Sequence, residues 1–391
     1  MEVKLKRMNE SLKEQGFTNR KLAKLFGISH TTINNYFSNA SSFDFMHFVC
    51  SLRLYEPKSL NLRKQYVRKM IPGLAPRNKL LALDVLDMCG EYGLQELIIE
   101  DIRGISNKSD ITSTLQKLVP LYEQFRRRSE ESVTTDQFFE NVTKILQGEK
   151  SDVSEFNVIS DFAMIYSFLG FKNYKMMEKY IQKLIPEISK VSSKTLRASF
   201  NIKVREMQIF TALHGNEIER ARELCLEIIN APNNPYDSTK AVAYCKLAES
   251  YALTDYFTAK MYIDKAIEVL GECSNKKFKI RKKKILNTLL FIKIYHNVDL
   301  HTIDPEDIND LAERAFLYIK LGKLDVAIAI LKELEQKNGY LSSFQLYYMG
   351  LATGEEKYFV QSTKSFYKAQ DYFYVQLPEL AMACYNTNKG V

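Results

Sequence analysis

The sequence predicts an all-α protein with a helix-turn-helix head on a body of degenerate helical repeats, and three observations predict it. Glycine and proline are scarce, 15 and 9 among 391 residues, and they cluster at punctuation points such as IPG at 71–73, GEYG at 90–93, NAPNNP at 230–235 and TIDPED at 302–307. Between those points apolar residues keep a 3.6-residue period, the mark of helices with one buried face. One hairpin pattern recurs along the chain, and residues 18–38 carry two short helices joined by a tight turn. The chain therefore divides into a DNA-binding head at 1–40, a helical linker with irregular early repeats at 41–150, and a repeat superhelix at 151–391 for ligand sensing and dimerisation.

The head is TNRKLAKLFGISHTTINNYFS, residues 18–38. Thr18 stands where an N-cap belongs, Ala23 is small enough for two helices to cross closely, and Gly27 can take the left-handed conformation that ends the first helix. Ile28 and Ile33 fill the space between the helices, Leu22 and Leu25 join Ala23 on the inward face, and Tyr36 and Phe37 close the back. Ser29 caps the second helix, which offers His30, Thr31, Asn34, Asn35 and Ser38 to a major groove while Thr18, Asn19 and Arg20 meet the phosphates. The segment resembles the helix-turn-helix of phage repressors, with Asn19 in place of the usual glutamine and Phe37 in place of the usual acid.

Charge supports this reading. Residues 1–80 hold 15 Lys and Arg against 5 Asp and Glu, a net +10 within a chain of +8, so the remainder carries −2. Phosphate attraction supplies most non-specific DNA affinity, and this distribution focuses it at one end.

The body begins its repeats near 150. LGFKNYKMMEKYIQKLI at 169–185, LHGNEIERARELCLEII at 213–229, LTDYFTAKMYIDKAIEVL at 253–270 and LGKLDVAIAILKEL at 321–334 each join a small or polar turn to a second amphipathic helix. Each looks like the turn and second helix of a tetratricopeptide repeat, and spacings of about 34 to 45 residues fit that class of solenoid. In the last segment Leu324, Ala327, Ile328 and Leu331 share a face, and Asp304 with Pro305 is expected to start the partner helix. Such solenoids present a groove to an extended peptide or a helix.

Candidate groove residues follow from polarity against pattern. In 194–213, Phe200, Val204, Met207 and Thr211 form the packing stripe, and Asn201, Arg205 and Gln208 align beside it. An asparagine there can hold a peptide amide through both its carbonyl and its NH2. Asn287 interrupts the apolar ILNTLLFIKIY and is either a satisfied core amide or a ligand contact. Asp371, after the last repeat-like helix, either pairs with a basic ligand group or caps the helix that ends the solenoid.

Other chemistry is absent from the sequence. There is no phosphate loop, HExxH, GxSxG or Cys-His cluster, and the five histidines His30, His47, His214, His296 and His301 lack metal-ligand spacing, so neither an enzyme nor a metal or cofactor is expected. The cysteines Cys50, Cys89, Cys225, Cys245, Cys273 and Cys384 read as reduced core residues. No apolar run is long enough for a membrane span, which places the protein in the cytoplasm of a bacterial host. The basic run NKKFKIRKKK at 275–284 reads as a solvated helix face.

A helix-turn-helix followed by about nine helical hairpins is similar to the peptide-sensing regulators of Gram-positive bacteria and their phages. Within these the chain resembles the AimR arbitrium receptors, through LRASFNIKVRE at 196–206, ERARELC around Arg222, and SFYKAQDYFYVQLPEL with Asp371. The resemblance implies a homodimer that binds a double-stranded DNA operator and governs the choice between lysis and lysogeny, switched off by a short signalling peptide in the solenoid. It implies peptide contacts at Asn201, Arg205, Arg222, Asn287 and Asp371. The alternative is a repeat scaffold that sequesters a partner protein such as a response regulator.

Overall fold

The computed structural model describes residues 1–105, 110–149, 152–231, 234–272 and 275–389, and among them every regular element is a helix. At the front lie α1 (Glu2–Glu14), α2 (Asn19–Phe26) and α3 (His30–Ser38). The signals expected of the head do their work. Thr18 Oγ1 accepts from Lys21 N at 3.3 Å, Gly27 ends α2 at φ 62°, and Ser29 Oγ accepts from Thr32 N at 3.0 Å. Two positions differ. Leu25 is 54% exposed, because the inward stripe of α2 runs through Asn19, Leu22, Ala23 and Phe26 at helical spacing, and Leu25 falls outside it. Ahead of the motif, α1 buries Leu5, Met8 and Leu12 and packs on α3 and on α4 (Phe45–Tyr55).

Next come α5 (Leu60–Met70), α6 (Pro76–Cys89), α7 (Tyr92–Arg103), α8 (Asp110–Ser129) and α9 (Thr135–Leu146). Helix α6 is the axis of this half. Every residue from Lys79 to Cys89 is buried, Asp84 and Asp87 included, and α4, α7 and α8 surround it. A helix covered on all sides needs no polar face, which is why the apolar period fades in 41–150.

The body then runs as hairpins: α10 (Ser154–Gly170) with α11 (Tyr174–Lys190), α12 (Lys194–His214) with α13 (Ile218–Asn230), and α14 (Asp237–Glu249) with α15 (Tyr256–Leu270). The single long helix α16 (Lys276–Tyr295) interrupts them. It is followed by α17 (Leu311–Lys320) with α18 (Leu324–Asn338), α19 (Ser343–Thr353) with α20 (Glu356–Ala369), and the terminal α21 (Gln376–Lys389). Left-handed corners at Lys172 (φ 54°), Asn216 (φ 62°) and Gly322 (φ 74°) turn three of the hairpins. Small residues let helices approach closely: a Cβ on Gly350 of α19 would lie 2.7 Å from the Phe359 ring of α20.

The hairpins coil into a helical superhelix whose end folds back on its middle. Tyr372 N donates to His214 O at 2.7 Å, and Tyr374 OH donates to Glu249 Oε1 at 2.7 Å. The apolar core has two bodies, one from Leu5 to Met207 joined by Tyr236, the other from Ile209 to Leu377. Their division falls within α12 rather than near 40 or 150.

Several local expectations need correction. Asp304 and Pro305 open only a 3₁₀ turn, Pro305–Asp307; α17 starts later, capped by Asp310, whose Oδ1 accepts from Ala312 N at 2.9 Å. On α18, Ala327 and Leu331 are fully buried but Leu324 is 40% exposed. Cys50, Cys89, Cys225 and Cys245 are buried, and burial pushes the Cys89 thiol up to about 11. Cys384 is exposed, and Cys273 lies outside the described residues. No helix among the described residues is long and apolar enough to cross a membrane.

Candidate functional site

Two features carry chemistry, an exposed helix face on the head and an interior cavity behind it. On α3, Ile33, Tyr36 and Phe37 point inward, which leaves His30, Thr31, Asn34, Asn35 and Ser38 exposed on the other side. Arg20, Lys21 and Lys24 are exposed on α2. Thr31 and Asn35 make no side-chain hydrogen bond among the described residues, so both keep their full capacity for a base edge. The other residues are partly engaged. Ser38 Oγ donates to the carbonyls of Asn34 and Asn35 at 3.0 and 3.2 Å, Asn34 Nδ2 lies 3.3 Å from His30 Nδ1, and Thr18 and Ser29 serve as caps.

Asn19 is removed from the phosphate set. It is 7% exposed, and its Nδ2 donates to Asn34 Oδ1 at 2.7 Å, so it fixes α2 against the reading helix. Behind α3 sits His47 of α4, stacked on Phe26 at 4.7 Å with Nδ1 3.2 Å from Tyr36 Oη. Burial pushes the His47 imidazole below its ordinary value, against the pull of Asp44.

The cavity, 610 Å³, opens between α6, α8, α9, α10, α12 and α16, within the roughly 300–1,000 Å³ usual for ligand pockets. Its walls mix rings (Phe125, Phe138, Tyr166, Phe210) with charges (Asp87, Arg128, Glu206, Lys277, Arg281). A buried ionic network forms its floor. Lys203 of α12 pairs with Asp84 of α6, Ser199 Oγ and Tyr122 Oη donate to the same carboxylate at 2.5 and 3.1 Å, and Tyr236 Oη donates to Ser199 Oγ at 3.2 Å. Burial opposes charge on Lys203, yet Asp84 holds its ammonium above its ordinary value.

The basic run at the start of α16 completes the wall, which corrects its reading as a solvated face. Lys277 is buried with Nζ donating to Asp87 O at 2.6 Å, Arg281 Nη1 donates to Glu206 Oε1 at 3.3 Å, and Asn275 Nδ2 donates to Cys89 O at 3.0 Å. Periodicity hid this docking, because the partners of these groups are the buried carboxylates and carbonyls of α6 and α12.

The five residues expected to hold a peptide are not brought together. Asn201 is exposed on α12 and Arg205 Nε pairs with Glu227 of α13 at 2.9 Å; their stripe is real but lies beside Glu206, Met207 and Phe210, which line the cavity. Arg222 stacks on Tyr251 at 3.8 Å and donates to Ser250 Oγ at 3.1 Å. Asn287 is exposed rather than a core amide, in a separate groove with Lys283 and Asp307. Asp371 is corrected to a structural role: it is 5% exposed, accepts from Tyr374 N at 3.2 Å and lies 3.0 Å from His214 Nδ1. Sequence reasoning missed Arg128 and Tyr166 of the cavity, since the run RRR at 126–128 looks like solvated charge.

Comparison with known proteins fits this geometry. An uncharacterised Bacillus anthracis protein is 28% identical over 227 residues, covering 58% of this chain and 83% of that protein. The AimR transcriptional regulator of Bacillus phage phi3T is 22% identical over 274 residues, 69% of each chain. A ligand-bound phAimR structure superposes with TM-score 0.70 at 20% identity, covering 86% of this chain and 96% of that one. Selenomethionine phAimR gives 0.66 at 19% identity, covering 97% and 96%. The family match spans residues 60–383, from the first residue of α5 into α21 and through every wall of the cavity, and on that match the chain belongs to the AimR transcriptional regulator-like family.

Proposed function

We propose that the protein is a peptide-responsive, DNA-binding transcription regulator of the phage lysis–lysogeny decision, working as a homodimer on a double-stranded operator. The exposed, unengaged Thr31 and Asn35 on a capped reading helix support the DNA half of this reading. A dimer supplies two heads at one fixed separation, which a pair of half-sites then matches or misses. The cavity supports the effector half. In this reading the short signalling peptide occupies it and lowers operator affinity.

The observation that carries the proposal is the shared helix α6. It packs on α4, whose His47 braces α3, and its residues Asp87 and Met88 line the cavity. A ligand that prefers one arrangement of α6, α12 and α16 shifts the population of head positions by its differential affinity for the two states.

Selection of bound fragments from phage and host genomes, with and without candidate peptides, tests this. Thr31→Ala and Asn35→Ala are expected to weaken retention by about 1–3 kcal/mol per base contact while leaving the fold intact. Unchanged retention in both overturns the DNA assignment and favours a scaffold that grips a protein.

A further inference from the structure

One cation of the cavity has no counter-ion. Lys277 donates to the Asp87 carbonyl at 2.6 Å, Arg281 to Glu206 at 3.3 Å, and Lys284 lies 2.8 Å from Glu131. Arg128, at the end of α8, makes no ion pair or hydrogen bond among the described residues. Its guanidinium stands 4.9 Å from the Tyr166 ring centroid and 5.9 Å from that of Phe138. Its neighbours in the run behave differently: Arg126 pairs with Glu96 and Glu130, and Arg127 is exposed.

Arg128 is half-buried, and the surface it keeps lines the cavity. Enclosure by protein pushes its pKa below the ordinary arginine value, so the charge is held at a cost. Aromatic walls use the faces of a guanidinium and leave its N–H edge free for a coplanar acceptor, the arrangement a carboxylate fits with two parallel bonds. Because the other lining cations are partnered, the site calls for a monoanion. A phosphate's second charge would find only Glu206 and Glu131, both already acidic.

We propose that Arg128 receives the carboxylate of the cavity's ligand, and that this ligand is a short peptide with a free C-terminus. The terminal carboxylate is the one anionic group every unmodified peptide carries, and Phe125, Phe210 and Met207 offer apolar wall to the residues behind it. This inference rests on the reading of the cavity as the peptide site.

The test uses the full chain and pools of short synthetic peptides made both as free acids and as C-terminal amides, with retained peptides identified by mass spectrometry. Free acids are expected to be enriched over their amides about 10- to 100-fold, the worth of a charge-assisted pair of hydrogen bonds. Arg128→Met is expected to abolish that preference with a thermal midpoint equal to or above the parent's, since no ion pair is broken, and Arg127→Met is expected to keep it. Equal retention of acids and amides overturns the carboxylate assignment and leaves the peptide reading standing. Retention of neither pool overturns the peptide reading and the assignment with it. A midpoint well below the parent's in Arg128→Met marks a packing prop and overturns the assignment.

Discussion

The two halves of the core are built by different rules. The front, from Leu5 to Met207, is wrapped around α6 and holds ionised groups at its centre: Asp84 is 0% exposed and Lys203 is 3% exposed. The rear, from Ile209 to Leu377, stacks hairpins through small residues at the helix crossings, with Ala221, Ala241, Ala248, Ala259, Ala266 and Ala327 buried. A stack of like units is stabilised by shape at each nearest-neighbour contact, whereas a helix enclosed by unlike neighbours is fixed by specific polar pairing. The front should therefore fail through unpaired charge and the rear through lost volume. Asp84→Ala is expected to give the largest effect in the molecule, about 3–5 kcal/mol, because Lys203 is left charged and buried. Denaturant unfolding of Asp84→Ala and of the double variant Asp84→Leu/Lys203→Met checks it: the double variant should recover much of the loss, and a double variant as unstable as the single one breaks the distinction.

In the rear the matching experiment is Ile263→Ala. Ile263 is fully exposure-free on α15 and packs against α14, so truncation leaves a cavity and is expected to cost about 2–4 kcal/mol. Hydrogen exchange should localise that loss to the rear hairpins, with α6 and α4 still protected. Equal deprotection of both halves would show that the division within α12 has no energetic meaning.

The same contrast explains what the sequence disclosed. Turn corners and packing stripes repeat wherever a helix has one buried face, so the hairpins from 169 to 229 and the stripe of Phe200, Val204 and Met207 were readable. The head was readable because Thr18, Gly27 and Ser29 have conformational duties that few residues perform. Helix α6 was not, since burial on every side erases periodicity. Asn19 looked like a phosphate contact because its residue type suits both duties; only its place on the Leu22, Ala23, Phe26 stripe distinguished them. The cavity was the least legible feature. It joins Arg128 to Lys277 and Arg281 across some 150 positions, and no local spacing encodes that meeting.

Acidity should sharpen the comparison, because each half holds one titrating group of opposite consequence. Glu313 of α17 is buried, and burial raises its carboxyl to about 8 while Tyr348 Oη donates to it at 3.0 Å. A carboxyl with a raised folded pKa favours the folded state fully below its unfolded value, near 4.5, and that contribution is lost as pH rises through about 8. His47 acts in reverse. Its folded pKa is lowered from 6.5, so the unfolded head binds the proton first and stability falls as pH drops below 6.5. Exchange protection in α17 and α19 should weaken between pH 7 and 9, and that in α2 and α3 should weaken below about 6.5. Glu313→Gln and His47→Phe should each flatten only their own half's response.

The smallest effect is expected where the cavity meets solvent. Lys284 of α16 lies 2.8 Å from Glu131, which turns the corner between α8 and α9 at φ 53°, and the two side chains are 66% and 49% exposed. Water and salt screen such a pair, so Lys284→Gln is expected to change unfolding free energy by less than about 1 kcal/mol. Its geometric role is separable from its energy, because this pair spans the cavity mouth between elements that otherwise meet only at the floor. Breaking it should speed entry and exit of a cavity ligand while leaving the ratio of the two rates nearly unchanged. Stopped-flow binding of a retained free-acid peptide at low and high salt reads this directly: the parent at high salt should behave like Lys284→Gln at low salt. A stability loss of several kcal/mol would instead put Lys284 among the paired interior charges, and the front's polar order would then extend to its surface.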